Sequence, residues 1–105
     1  MTRKRLKPAH RRQLILSEAL HLACVRGYQR ITRDEVAHRA GASGALVNFY
    51  FPRIEDLRTE VLTEAIRLAV VPVVAQALAA QDATALAAPQ ELKDLVASWI
   101  SGGAA

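Results

Sequence analysis

The stretch Ile31 to Leu57, ITRDEVAHRAGASGALVNFYFPRIEDL, constrains this chain more than any other. Thr32-Arg33-Asp34-Glu35 has the S/T-x-x-E form of a capping box, in which Thr32 caps the backbone and Glu35 reaches back to it. Val36, Ala37 and Ala40 then give an apolar stripe at helical spacing. Gly41 stands where a chain leaving a helix takes a left-handed residue, and Ser43 caps the next helix after a short turn. The spacing predicts helices over 33–40 and 44–50. Two short helices joined this tightly cross steeply, which leaves the second free to enter a DNA major groove.

The flanking segments read as helices too. Pro8 suits the first turn of a helix ending near Arg26, with Ile15, Ala19, Leu22 and Ala23 as its buried stripe. Leu16, Leu20 and Cys24 are expected to widen that stripe, and Gly27 to end the helix with Tyr28 and Ile31 packed over it. Pro52 is expected in the first turn of a fourth helix, with Glu55 and Asp56 near its positive end. Leu57, Val61, Leu62, Ala65, Ile66 and Ala69 make that helix's apolar face. Pro72 should end or kink it, because proline lacks an amide donor and clashes with the preceding turn. Residues 73–80 resume after a bend, Asp82 caps a short turn at 83–87, and Pro89 opens a last helix to about Ser101, beyond which the end should fray. Valine and isoleucine never alternate with period two, so the expected fold is all-α. A three-helix helix-turn-helix head would be followed by a long helix and a short helical tail. The expected division is a flexible basic arm at 1–7, a DNA-binding head at 8–57 and a dimerisation region at 58–105.

Charge sharpens the division. Residues 1–53 hold eleven Lys and Arg against three acids, a balance of +8, while residues 54–105 hold three against seven, a balance of −4. A basic half that coincides with the two tight helices points to a polyanion partner. No apolar run reaches the length of a membrane span, and the basic N-terminus does not read as a signal peptide, so the expected location is the cytoplasm. The single cysteine rules out an intramolecular disulfide. His21 and Cys24 stand three apart with no second pair to complete a metal site, and Cys24 reads as a small buried residue. No phosphate loop, nucleophile elbow or paired-carboxylate arrangement is present, so neither an enzyme nor a cofactor is expected.

Taken together, residues 12–66 resemble the N-terminal DNA-binding domain of TetR-family transcriptional regulators. The features that carry the resemblance are Ile15, Ala19, Gly27-Tyr28, Thr32, Val36-Ala37, Ala40-Gly41, Ser43, Val47, Tyr50-Phe51, Glu55 and Leu57. The resemblance implies that helix 44–50 reads the bases, that the first and fourth helices brace it, and that two protomers share a palindrome. It also exposes departures. Asn48 stands where the family usually has tyrosine, Ile54 where it has a phosphate-binding lysine, and Ala45 where glycine is frequent.

The chemistry of the expected interface follows from its side chains. Asn48 can pair bidentately with adenine, while Ala45 and Leu46 can touch thymine methyls. Gly44 lets the backbone come close, Ser43 and Tyr50 can hydrogen-bond, and Phe49 can lie against sugar or base edges. Phosphates are assigned to Thr32, Arg33, Tyr50 and Arg53, with Arg53 replacing the lysine lost at Ile54. Val47 and Phe51 are assigned to the core. Arg3 and Arg5 of the arm are expected in an adjacent minor groove.

Family members usually continue into a longer helical domain that binds an inducer and dimerises, whereas this chain ends at Ala105. The expectation is therefore a homodimeric repressor held together through Leu92, Leu95, Val96 and Trp99, with no enclosed inducer cavity. Two other readings stay open: a ligand-responsive regulator with a reduced crevice near Pro72, and a protein-interaction module on the same fold that no longer binds DNA.

Overall fold

A computed structural model describes residues 7–102, and across them the chain forms seven helices and no strand. They are α1 (Pro8–Arg26), α2 (Arg33–Ala40), α3 (Gly44–Tyr50), α4 (Ile54–Leu68), α5 (Val71–Ala79), α6 (Ala83–Leu86) and α7 (Gln90–Gly102). Arg3 and Arg5, with the rest of the basic arm to Leu6, lie outside the described residues.

Local chemistry sets the boundaries. Pro8 occupies the first turn of α1, where its missing N–H costs nothing, and the Gly27 N–H closes the far end on the Ala23 carbonyl at 2.8 Å. Thr32 caps α2 by accepting from the Glu35 N–H at 3.2 Å. The Glu35 carboxylate reaches back to the Thr32 hydroxyl at 3.1 Å and ion-pairs with Arg26 at 2.9 Å. Ser43 caps α3 by accepting from the Leu46 N–H at 3.0 Å. With eight and seven residues, α2 and α3 are too short to persist alone and depend on packing.

Three helix ends share one hydrogen-bond pattern. After α2, α4 and α5 a residue in the left-handed region, Gly41, Ala69 and Gln81 respectively, donates back to the third residue before it. The residue that follows it (Ala42, Val70, Asp82) donates to Ala37, Ala65 and Ala77 at 2.8–2.9 Å. This is the Schellman arrangement, and only one of the three uses glycine.

Pro52 does not enter α4. The cap residue is Arg53 and the helix starts at Ile54, so Pro52 serves as the bend between α3 and α4. Ala69 likewise leaves the apolar face: it is exposed, with φ +56°. Had α4 run on, the Pro72 ring would have struck the Leu68 carbonyl. The chain breaks first, and Pro72 falls in the first turn of α5. At the far end α7 continues through Ser101 to Gly102 rather than fraying at Ser101.

One apolar core runs through head and tail. Ile15, Ala19 and Ala23 from α1 meet Val36, Val47 and Phe51, and Leu57, Val61, Leu62 and Ala65 of α4 carry the core on to Val73, Val74, Ala77 and Val96. Helix α1 packs on α2 and α4, α2 on α3, and α5 on α4, α6, α7 and the end of α1. Cys24, expected inside, is exposed. Partial desolvation nevertheless pushes its thiol above the ordinary range, so it stays protonated at neutral pH. No polar or charged residue among the described residues is buried.

Candidate nucleic-acid interface

Helix α3 is anchored by one side. Val47 is fully buried and the residue just past the helix, Phe51, is 1% exposed. Leu46 and Tyr50 are half-buried and pack against the core. That leaves Ala45, Asn48 and Phe49, at i, i+3 and i+4, together on the outer face with the capping Ser43. Phe49 is 73% exposed, its ring meeting Tyr50 edge-to-face at 5.1 Å. Seven residues at 1.5 Å each make a rod about 10 Å long, whose diameter with side chains of about 10–12 Å fits a major groove about 12 Å wide.

Gly44 sits half-buried at the helix start. A Cβ placed there would meet Asp34 Oδ1 at 3.7 Å, an ordinary contact, so packing within the protein does not require glycine.

The surrounding cations divide into paired and unpaired. Arg12 stacks over the Phe51 ring at 4.5 Å and ion-pairs with Glu60, which sets the start of α1 beside the end of α3. Arg39 pairs with Glu18 at 3.3 Å, and Arg26 with Glu35. Among the described residues before Ile54, Lys7, Arg11, Arg30, Arg33 and Arg53 form no ion pair. An excess of positive charge therefore survives on the head. These exposed pairs add little stability, typically under about 1 kcal/mol each, so the charge pattern bears on partners more than on folding.

The residues assigned to phosphates fare differently. Arg53 is exposed at the start of α4. Thr32 is exposed, but its hydroxyl is engaged in the α2 cap. Arg33 is half-buried and donates through Nη2 to the Pro52 carbonyl at 3.3 Å, bracing the bend below α3. Arg33 is thus committed in part to the fold. Ile54 is half-buried against the core, where a lysine would have been solvated, so Arg53 is the cation at this corner.

The tail residues assigned to a dimer contact also separate. Leu92 and Val96 are 8% and 1% exposed and are spent inside the protomer, which removes them from the available surface. The cause is register: α7 turns these two toward α5, leaving Leu95, Trp99 and Ile100 half-exposed. A crevice of about 310 Å³ opens between head and tail beside Tyr28, Arg58 and Asp82, and a smaller one of about 150 Å³ beside Gly27 and Gln76. Pro72 lines neither. Sequence reasoning missed Arg12 and Gln76, whose partners stand 48 and 53 positions away and leave no local signal.

Two capped helices on a left-handed glycine, the second offering an uncharged polar and aromatic face beside unpaired cations, form a helix-turn-helix head. Residues 15–61 match the family model for bacterial regulatory proteins of the tetR family. Over these residues the chain is similar to the DNA-binding domain of that family, and the match takes in most of α1, all of α2 and α3 and the first half of α4. A comparison with curated proteins gave no match. No helix among the described residues is long and apolar enough to cross a membrane.

Proposed function

We propose that this protein is a TetR-family transcriptional regulator, a cytoplasmic homodimeric repressor that lays α3 of each protomer into the major groove of a palindromic operator. The observation that carries the reading is the outer face of α3. Asn48 and Phe49 stand exposed on a rod of groove size, beside the unpaired Arg53 and the basic start of α1. Asn48 reads a base, Ala45 touches a thymine methyl with the uncovered part of Leu46 beside it, and Ser43, Gly44 and Tyr50 position the helix on the backbone. Arg53 holds a phosphate, with Thr32 and Arg33 secondary because their polar groups already serve the fold. Arg3 and Arg5 extend the footprint into the minor groove.

One such head covers little DNA. A twofold pair doubles the area and fixes the register, and half-exposed Leu95, Trp99 and Ile100 on α7 supply an apolar surface for pairing. In this reading residues 8–57 are the DNA-binding head and the segment from 58 onward is the dimerisation region. The test is affinity for duplex DNA across a salt series. Log affinity should fall linearly with log salt by roughly 0.9 per phosphate contact, and Arg53→Ala should weaken all sequences alike and reduce that slope by about one contact. Affinity that ignores salt, or an Arg53→Ala loss confined to one sequence, would contradict the assignment.

A further inference from the structure

Tail and head are joined twice. Helix α4 runs through both and packs by apolar contact, which is non-directional and tolerates sliding. The second junction is polar and specific. The Gln76 side chain on α5 accepts from the Tyr28 N–H through Oε1 at 3.0 Å and donates through Nε2 to the Ala23 carbonyl at 3.2 Å. Tyr28 is 4% exposed, and its hydroxyl donates to Asp82 Oδ2 at 3.0 Å, while Asp82 Oδ1 accepts from the Thr84 N–H at 2.8 Å to cap α6. Three side chains thus tie the turn between α1 and α2 to both the body of α5 and the start of α6. Crevices of about 310 and 150 Å³ both border Tyr28, so close packing alone does not fix the angle there. Directional hydrogen bonds do.

We propose that Tyr28, Gln76 and Asp82 form a latch that sets the tail's angle on the head, and thereby the separation of the two α3 helices in a pair. This rests on the homodimer reading above. The three are positioning residues: none needs to touch DNA, yet together they decide which half-site spacing the pair accepts. Burial, with the Asp82 bond second, pushes the Tyr28 hydroxyl up to about 12, so it remains a proton donor throughout the physiological range.

The chain supplies its own probe. Cys24 is the single cysteine and is exposed on α1, so a nitroxide there marks each head once. Pulsed dipolar spectroscopy on the full chain then reads head-to-head distance directly. The wild type should give one narrow distribution. Tyr28→Phe with Asp82→Ser, which keeps the ring and a capping hydroxyl, should at least double its width, and so should Gln76→Ala. The same variants should lose at least threefold of the wild type's discrimination against duplexes whose half-site spacing is altered by one base pair. Folded variants that keep the wild-type width and discrimination would overturn the latch while leaving the homodimer intact. If the double variant or Gln76→Ala fails to fold, Tyr28→Phe alone, which deletes one hydroxyl, decides in the same way. A wild type with no dipolar signal would overturn the homodimer and the latch with it.

Discussion

Replacing Phe49 by alanine separates folding from recognition, because this side chain is large, apolar and mostly outside the protein. At 73% exposure about a quarter of it is covered. A fully buried phenylalanine contributes about 1.5–3 kcal/mol, so a quarter amounts to about 0.4–0.8 kcal/mol. Loss of the edge-to-face pairing with Tyr50 adds about 0.5–1 kcal/mol. The variant should therefore be destabilised by only about 1–2 kcal/mol and remain folded. If Phe49 lies against sugar and base edges, its removal also uncovers apolar surface across the whole interface. Affinity for the cognate duplex should fall at least tenfold, about 1.4 kcal/mol or more. Urea denaturation measures the first quantity and fluorescence anisotropy with labelled duplex the second. A folded variant with wild-type affinity would refute the placement of α3. Collapse of the fold would refute the claim that Phe49 faces outward.

Other changes probe separate parts of the account. Asn48→Ala should cost about 1–3 kcal/mol on the cognate site and relax the base preference there, measured by competition among point-substituted duplexes. Trp99→Glu, at a half-exposed position, should leave the protomer folded but shift sedimentation from dimer to monomer. Ala69→Gly should raise stability by up to about 1 kcal/mol, since φ +56° strains alanine, whereas Gly41→Ala at φ +63° should lower it by about 1–2 kcal/mol in thermal melts. The Tyr28 hydroxyl, raised from 10 to about 12, holds its proton more tightly in the folded chain. Its contribution is complete below pH 10 and disappears as pH climbs toward 12, so Tyr28→Phe should flatten the stability loss in that window.

Much of the head was legible because its signals are local. Thr32 and Ser43 announce their helices within three residues, and Gly41 marks the turn between them. The starts and ends of α1, α2 and α3 follow from such residues. At the ends of α4 and α5 that kind of signal is missing: Ala69 and Gln81 adopt the same left-handed geometry as Gly41 with side chains that normally avoid it. The demand of Pro72 for an early break hints at the first, and Asp82 as the next cap places the second, but neither signals the left-handed residue itself.

The site divides along the same line. Which residues of α3 face outward follows from its period, since Val47 and Phe51 must point in, and Asn48 and Phe49 are then turned out. The bond from Arg33 to the Pro52 carbonyl was not legible because its partner stands 19 positions away, nor was the open part of α7, because periodicity gives the stripe but not how much of it the protomer covers. Leu92 and Val96 are consumed internally, and a one-helix pattern carries no information about α5. Cys24 fell on the margin of a stripe wide enough to include it on paper and too wide for the core that formed.

The most direct measurement is selection of bound sequences from a random duplex library by the full chain, followed by sequencing of the retained pool. The account predicts an inverted repeat whose half-site centres stand about one helical turn, or a multiple of it, apart. A retained pool as random as the input, or a single motif without its inverted copy, would contradict it.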